Sequence, residues 1–284
     1  MGPWTLLAGT VGREDEIVLT TIVIPIDGSP LAIGAIAPAT ALATRLGAGI
    51  ELVTVTSPGL PVGDDLDVLE KVKAGVSVPC RVDVLQGNDV AAALSEKMAA
   101  IGTTGMLCMA THGRTGVVRA MLGSTAESVV RAVRAPVLLI GPRCTVPETW
   151  RVVQACIDPN APESRRAGRV GLDLAADLGG ELWLTQVQPA RSLQPDADVI
   201  DASDLEALAA DLRVPGHAVQ WEVFHNDDVV EELLRAQRVL GAAVIVTTTH
   251  ARAGVARTAL GSVAMALTHS APCPVLVVPP TASS

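Results

Sequence analysis

The chain has 284 residues, 49% of them apolar but only 2% aromatic, with a formal net charge of −9 and a pI near 5.0. A core limited to Val, Ile, Leu and Ala suits parallel strands covered on both faces, whose sequences read as unbroken aliphatic runs. The acidic balance excludes general binding to nucleic acid or to an anionic membrane surface, but not a local anion site made of backbone amides. No apolar run reaches the roughly 20 residues of a membrane-crossing helix. Gly2–Leu19 lacks the basic start and long apolar centre of a signal peptide. Cys80, Cys108, Cys144, Cys156 and Cys273 are scattered without a CxxC, as expected of reduced, buried thiols. The expectation is a soluble, cytoplasmic protein.

Residues 1–18 match nothing later in the chain and read as an N-terminal arm. A first strand is expected over 20–26, ending in Asp27-Gly28-Ser29-Pro30. Ser29 suits a helix cap and Pro30 the first helical position, so an Ala-rich helix should run to about Leu46. Strands are then expected over 50–56 and 78–85, with a short charged helix over 64–73 between them. Gly87-Asn88-Asp89 caps a helix to about Ala100. Gly105–Ala110 is the fourth strand, a Gly-rich polar loop follows, and a helix starts at Ser124. Ala135–Ile140 is the fifth strand.

The pattern then restarts. Strands are expected over 150–157, 181–188, 218–225, 243–248 and 272–278, and helices over 163–178, 202–212, 227–240 and from Ser262. Residues 189–201 read as a polar linker. Asp27 pairs with Asp158 (158 − 27 = 131) and Gly123 with Gly261 (261 − 123 = 138). Seven residues of insertion across a half is what a duplicated domain accumulates.

Strands alternating with helices imply a parallel sheet with right-handed crossovers. In a doubly wound order such as 3-2-1-4-5, strands 1 and 4 lie side by side where the winding reverses. Ligands of open α/β sheets bind there, beyond the carboxyl ends of the strands. Asp27 and Ala110 end those two strands. A carboxylate there can accept hydrogen bonds from ribose hydroxyls. Gly113 lets the backbone approach a ligand closely. Gly123, Ser124 and Thr125 open a helix whose free amides and positive dipole end suit a phosphate. Plainer readings stand beside these: Ser124 and Ser262 as helix caps, Asp27 as a turn residue, and His112 and His250 as loop-packing residues. Arg114, Arg119, Arg252 and Arg257 fit a solvated loop face. No His or Cys pair has zinc spacing, and no GxxxxGK[ST] or GxGxxG follows a first strand.

Both halves resemble the universal stress protein family, over about residues 20–141 and 150–279. Its ATP-binding branch carries G-x2-G-x9-G-[ST], and the frame here reads Ala110-x2-Gly113-x9-Gly123-Ser124. Pro25-Ile26-Asp27, Val55 closing strand 2, His112 in the loop and Pro136-Val-Leu-Leu-Ile140 match as well. The resemblance implies two tandem doubly wound five-stranded parallel sheets, of the adenine nucleotide alpha hydrolase-like or flavodoxin-like order 3-2-1-4-5. They would occupy 19–142 and 149–280, after the arm 1–18. It also implies ATP as the ligand, with Mg²⁺ arriving on the nucleotide. Asp27 would hold the ribose and adenine edge and Val55 the adenine. Gly113, Gly123, Ser124 and Thr125 would carry the phosphates, with Pro25, Met109, Ala110 and His112 as walls.

Ala110 departs from the family's first glycine. Its methyl only narrows the pocket if the backbone there has negative φ, and costs about 1–2 kcal/mol if φ is positive. The second half reads Thr248-x2-Ala251-x9-Gly261-Ser262, with Cys156 in the place of Pro25. Asp158, Val187, His250, Ala251, Gly261 and Ser262 therefore make a degenerate second site, weak or silent toward nucleotide. The resemblance further implies that the last strands, 137–140 and 275–278, meet as an intramolecular pseudo-dimer, with a homodimer of chains also open. The function expected is a nucleotide-binding regulatory protein of the stress response. A nucleotide-independent scaffold is the alternative. A slow ATPase is less favoured, because no base for an attacking water is visible.

Overall fold

A computed structural model describes residues 19–111, 123–158, 161–190, 197–249 and 260–279; for 162 and 197–201 it describes the backbone alone. The first half runs β1 (Thr21–Pro25), α1 (Pro30–Ile33), α2 (Ile36–Leu46), β2 (Gly49–Thr56), α3 (Gly63–Lys73), β3 (Cys80–Gln86), α4 (Val90–Ile101), β4 (Gly105–Ala110), α5 (Ser124–Ala132) and β5 (Val137–Ile140). The second half repeats it as β6 (Val152–Cys156), α6 (Arg165–Asp177), β7 (Glu181–Gln188), α7 (Ala197–Leu212), β8 (Ala218–His225), α8 (Val229–Leu240), β9 (Val244–Thr248), α9 (Ser262–Ser270) and β10 (Val275–Val278).

All ten strands form one sheet in the order β3-β2-β1-β4-β5-β10-β9-β6-β7-β8. Each half is parallel within itself and has the expected order 3-2-1-4-5. The halves join where β5 and β10 run antiparallel, with Val275 opposite Leu139 and Val277 opposite Val137. Helices cover both faces, so the central strands have no polar side to show. On one face Ile22, Ile24, Leu138, Leu172 and Leu276 belong to a single buried cluster that crosses the junction of the halves. On the other face Val23, Leu94, Leu107, Val129 and Leu267 form the second cluster.

Local chemistry sets the helix starts. Ser29 accepts the Ala32 N–H at 3.1 Å, Asp89 accepts from Ala91 and Ala92 at 2.8 and 3.2 Å, and Asp228 accepts from Glu231 at 3.0 Å. These side chains satisfy amides that the first turn leaves without partners.

Several expectations are corrected. The helix expected from Pro30 is interrupted: α1 stops at Ile33 and α2 begins at Ile36. Pro38 explains the break, because it has no N–H for the carbonyl four residues back, at Gly34. A proline is tolerated only in a first turn, so the helix restarts around it. The helix expected over 202–212 begins at Ala197 instead. No Gly or Pro lies in 197–201 to stop it. The strands expected from Ala135 and Val78 begin after Pro136 and Pro79. Those prolines lack the donor a ladder needs, and their carbonyls accept from Leu107 and Ile50.

Candidate functional site

β1 and β4 are neighbours, with Thr21, Ile22 and Val23 opposite Gly105, Met106 and Leu107. Carried on by four residues (27 − 23 = 4; 111 − 107 = 4), that register sets Asp27 and Thr111 at equal height at the carboxyl ends of the strands. The ladder itself stops at Val23, so the two chains part over those last residues. The crevice expected of a topological switch point opens between them.

Asp27 is exposed at the tip of β1. The chain turns at once through Gly28, whose φ of 76° favours glycine. The Asp27 Oδ1 accepts the Ser29 N–H at 2.9 Å. The turn role is therefore real, and a carboxylate still has lone pairs for further donors. Pro25 and Val55 are half-buried on the ends of β1 and β2, and Met109 is buried at the end of β4. The Pro25, Val53 and Val55 side chains share one face of the sheet, since Pro25 pairs with Val53 and side chains alternate along a strand. Ala110 is the last residue of β4 and pairs with Ile140. Extended strand backbone has negative φ, so its methyl carries no left-handed strain.

The phosphate end is built by two hydrogen bonds. The Thr111 N–H donates to the Ile140 carbonyl at 3.1 Å, and the Gly123 N–H donates to the Thr111 carbonyl at 2.8 Å. The second bond ties the start of α5 to the end of β4. Gly123, not Ser124, is the cap residue, with φ −60° and ψ 146°. The reading of Ser124 as an N-cap is thus corrected: Ser124 and Thr125 are the first helical residues, and both are exposed. A glycine cap offers no side-chain acceptor, so among the described residues no side chain caps the amides of the first turn, which suit an anion. The one acid of this turn, Glu127, is paired with Arg131 one turn on. His112 and Gly113 lie outside the described residues, as do Arg114 and Arg119.

In the second half, Asp158 and Val187 line a cavity of about 240 Å³ together with Cys156, Leu233, Thr248 and Val263. This is smaller than the roughly 300–1,000 Å³ of most drug-sized ligand pockets. Gly261 is again the cap, with φ −56° and ψ 154°, and Ser262 is exposed at the first helical position rather than capping. The Thr249 N–H reaches the Val278 carbonyl at 3.3 Å, matching Thr111 and Ile140. Among the described residues no bond joins Gly261 to Thr249. His250 and Ala251 lie outside the described residues, with Arg252 and Arg257.

The core behind this crevice is also more polar, which the sequence reading missed. Gln154 occupies the place of Val23 (154 − 131 = 23), and Thr185 that of Val53 (185 − 132 = 53). Gln154 is fully buried, and its amide nitrogen donates to the Thr185 hydroxyl and the Leu233 carbonyl, both at 3.2 Å. Setting the two halves in register residue by residue reveals both changes. Burial pushes the Cys156 thiol up to about 12, against a weaker pull from its Thr185 hydrogen bond. It is an inert wall group, not a thiolate.

Two tandem doubly wound α/β domains, each with a helix N-terminus facing a strand-tip carboxylate position, define the class of protein. The universal stress protein family model matches residues 19–141 and again 149–279. The chain belongs to the universal stress protein family. Universal stress proteins of Mycobacterium tuberculosis (strain H37Rv) and Mycobacterium bovis are each 26% identical to it over 185 residues. Those matches span 61% of this chain and 61% of each relative. Among solved structures, a universal stress protein from Archaeoglobus fulgidus superposes with a TM-score of 0.67 at 18% identity, covering 91% of this chain and 98% of the other. A protein of unknown function from Pseudomonas aeruginosa gives 0.64 at 17%, covering 93% and 94%. At such identities the likeness concerns the fold.

Proposed function

We propose that the first half binds an adenine nucleotide, ATP, at the crevice between β1 and β4, and that this binding gives the protein a regulatory role in a stress response. The observation that carries the reading is the pinning of Gly123 to Thr111 at 2.8 Å. It sets an uncapped helix start beside the strand tips, where it can meet phosphate while Asp27 meets the ribose. Pro25, Val55, Met109 and Ala110 supply an apolar wall for the base. In this reading His112 and Gly113, which lie outside the described residues, also belong to the site, and Mg²⁺ comes with the phosphates.

The second half is a degenerate copy in this reading. It keeps Asp158, Val187, Gly261 and Ser262, but it has Cys156 in the wall, Gln154 and Thr185 in the core behind it, and replaces both leading glycines. The β5–β10 pairing makes the two halves a built-in pseudo-dimer, with one working site per chain, in a cytoplasmic protein.

Thermal unfolding with added ATP tests the proposal, because a ligand that binds only the folded state raises apparent stability. The wild type should shift upward, and Asp27→Ala and Gly123→Val should shift less. No shift of the wild type at millimolar ATP assigns the chain to the nucleotide-independent scaffold instead.

A further inference from the structure

A second cavity, of about 320 Å³, lies beside the amino ends of β4 and β5, at the opposite end of these strands from the crevice of Asp27. Helix α6 of the second half closes it, so both halves contribute walls. Its apolar lining includes Met98, Met106, Leu174 and Leu276, each at most 2% exposed. It shares no lining residue with the cavity at Asp158.

Four charged residues reach this lining: Arg134, Arg166, Asp173 and Asp177. Two are already engaged. The Arg166 guanidinium donates to the Pro279 carbonyl at 2.8 Å, and Asp177 has a partner of its own. Arg134 and Asp173 make no hydrogen bond or ion pair among the described residues. They come from different halves, one just after α5 and the other from the middle of α6.

We propose that this interdomain cavity binds a small apolar zwitterion of the α-amino-acid type, its ammonium on Asp173, its carboxylate on Arg134 and its side chain between the buried methionines and leucines. Arg134 is exposed and keeps its water, but Asp173 is half-buried with only Arg169 one turn back acting on it. A neutral apolar ligand would bury that carboxylate further without a partner. A ligand of a single charge would answer one of the two. A wholly polar one would face walls that are mostly apolar, and leaving polar groups unpaired is costly. The volume falls within the range of small-ligand pockets. Burial pushes the Asp173 carboxyl up, with Arg169 one turn back pulling it down by less. An ammonium partner would reverse that shift.

The duplication supplies an internal comparison. Leu19 lines the cavity two residues before β1 (21 − 19 = 2), and Trp150 stands two residues before β6 (152 − 150 = 2). Trp150 is 5% exposed within the core cluster, whereas Leu19 is smaller and half-buried. The first half is thus underfilled at a position the second half fills with an indole.

Calorimetric titration of the full chain with L-leucine, L-methionine and L-phenylalanine tests the proposal, and it does not depend on nucleotide binding. At least one of them should bind with a Kd at or below about 1 mM. Its N-acetyl and carboxamide derivatives, each lacking one charge, should bind roughly 10-fold or more weakly, as should the free amino acid to Asp173→Asn and Arg134→Gln. Leu19→Trp should fill the space and abolish the heat. No binding of any of the three amino acids at about 10 mM overturns the site. So does equal binding of the derivatives to the wild type, a result that does not depend on how the variants fold.

Discussion

The amide of Gly123 and the carbonyl of Thr111 are 2.8 Å apart, and that bond returns the chain to the end of β4 after an eleven-residue excursion (122 − 112 + 1 = 11). It holds the first turn of α5 at the strand tips. The second half has the same strand and the same glycine cap, but among the described residues no such bond from Gly261 to Thr249. The two copies thus differ at the phosphate end before any ligand is considered.

Substitution at this cap separates phosphate binding from folding. The Gly123 backbone, at φ −60° and ψ 146°, suits any residue. Gly123→Val should therefore cost only the loss of a favourable cap residue, about 0.5–2 kcal/mol. The added side chain stands where a phosphate would approach the amides. ATP affinity should fall roughly 10-fold or more, while adenosine affinity stays within about threefold. Titration with both ligands checks this, and equal losses for the two would contradict it.

Ala110 departs from the family motif, yet its place at the end of β4 makes the departure mild. Ala110→Gly should destabilise the chain by about 0.5–1 kcal/mol, the usual cost of glycine in a strand. Its gain in ATP affinity should stay below about threefold, since the alanine relieves no strain on leaving. A gain of two orders of magnitude would mean that the methyl blocks the site. Chemical denaturation and calorimetry read the two effects separately.

The doubly wound order and the duplication were legible in the amino-acid sequence because strand and helix patterns alternate and then repeat. β4 was legible because an apolar run opens at Gly105, β7 because it lies between Gly180 and Pro189, and β8 because it stops at Asn226-Asp227. The caps Ser29 and Asp89 were legible for a local reason, since each satisfies amides within three residues of itself. The helix expected from Asp227, by contrast, starts at Val229 with Asp228 as its cap. The crevice was legible as two converging strand ends, Asp27 and Ala110. Other features depend on weighing one residue against another rather than on a single run. The break before α2 needed Pro38 weighed against the carbonyl of Gly34. The polar core behind the Asp158 crevice needed Gln154 set against Val23. The interdomain cavity depends on α6, which packs on the second half's strands, also reaching the amino ends of β4 and β5, and no local pattern reports that.

Gly141, directly after β5, sets the fit of the two halves. A Cβ there would lie 1.8 Å from the Thr268 carbonyl oxygen on α9, a backbone atom that cannot rotate away. Gly141→Ala should cost at least about 2 kcal/mol, a melting temperature roughly 4–8 °C lower for a chain of this size. Calorimetric melting checks it, and an unchanged melting temperature would show that the halves are not held as described.

Glu232, on α8, gives a pH-dependent contribution. Hydrogen bonds from Arg235 hold its carboxyl below the ordinary 4.5, with burial opposing them and Asn226 adding a further donor. A depressed folded-state pKa stabilises above the unfolded value and loses that contribution as pH falls through the folded one. Glu232→Gln should therefore unfold at lower urea than wild type at pH 7, and the gap should close on acidification below 4.5. A gap independent of pH would assign the effect to packing alone.

The central claim is one working adenine-nucleotide site per chain, built on Asp27 and the α5 start. Calorimetric titration of the intact chain with ATP tests it most directly, run on the wild type, Asp27→Ala and Asp158→Ala. Asp27→Ala should weaken binding roughly 10- to 100-fold, the worth of hydrogen bonds to a charged group, and Asp158→Ala should leave it unchanged. The predicted result is a stoichiometry of one in the wild type and in Asp158→Ala. Two equivalent sites, or no heat at millimolar ATP, would contradict it.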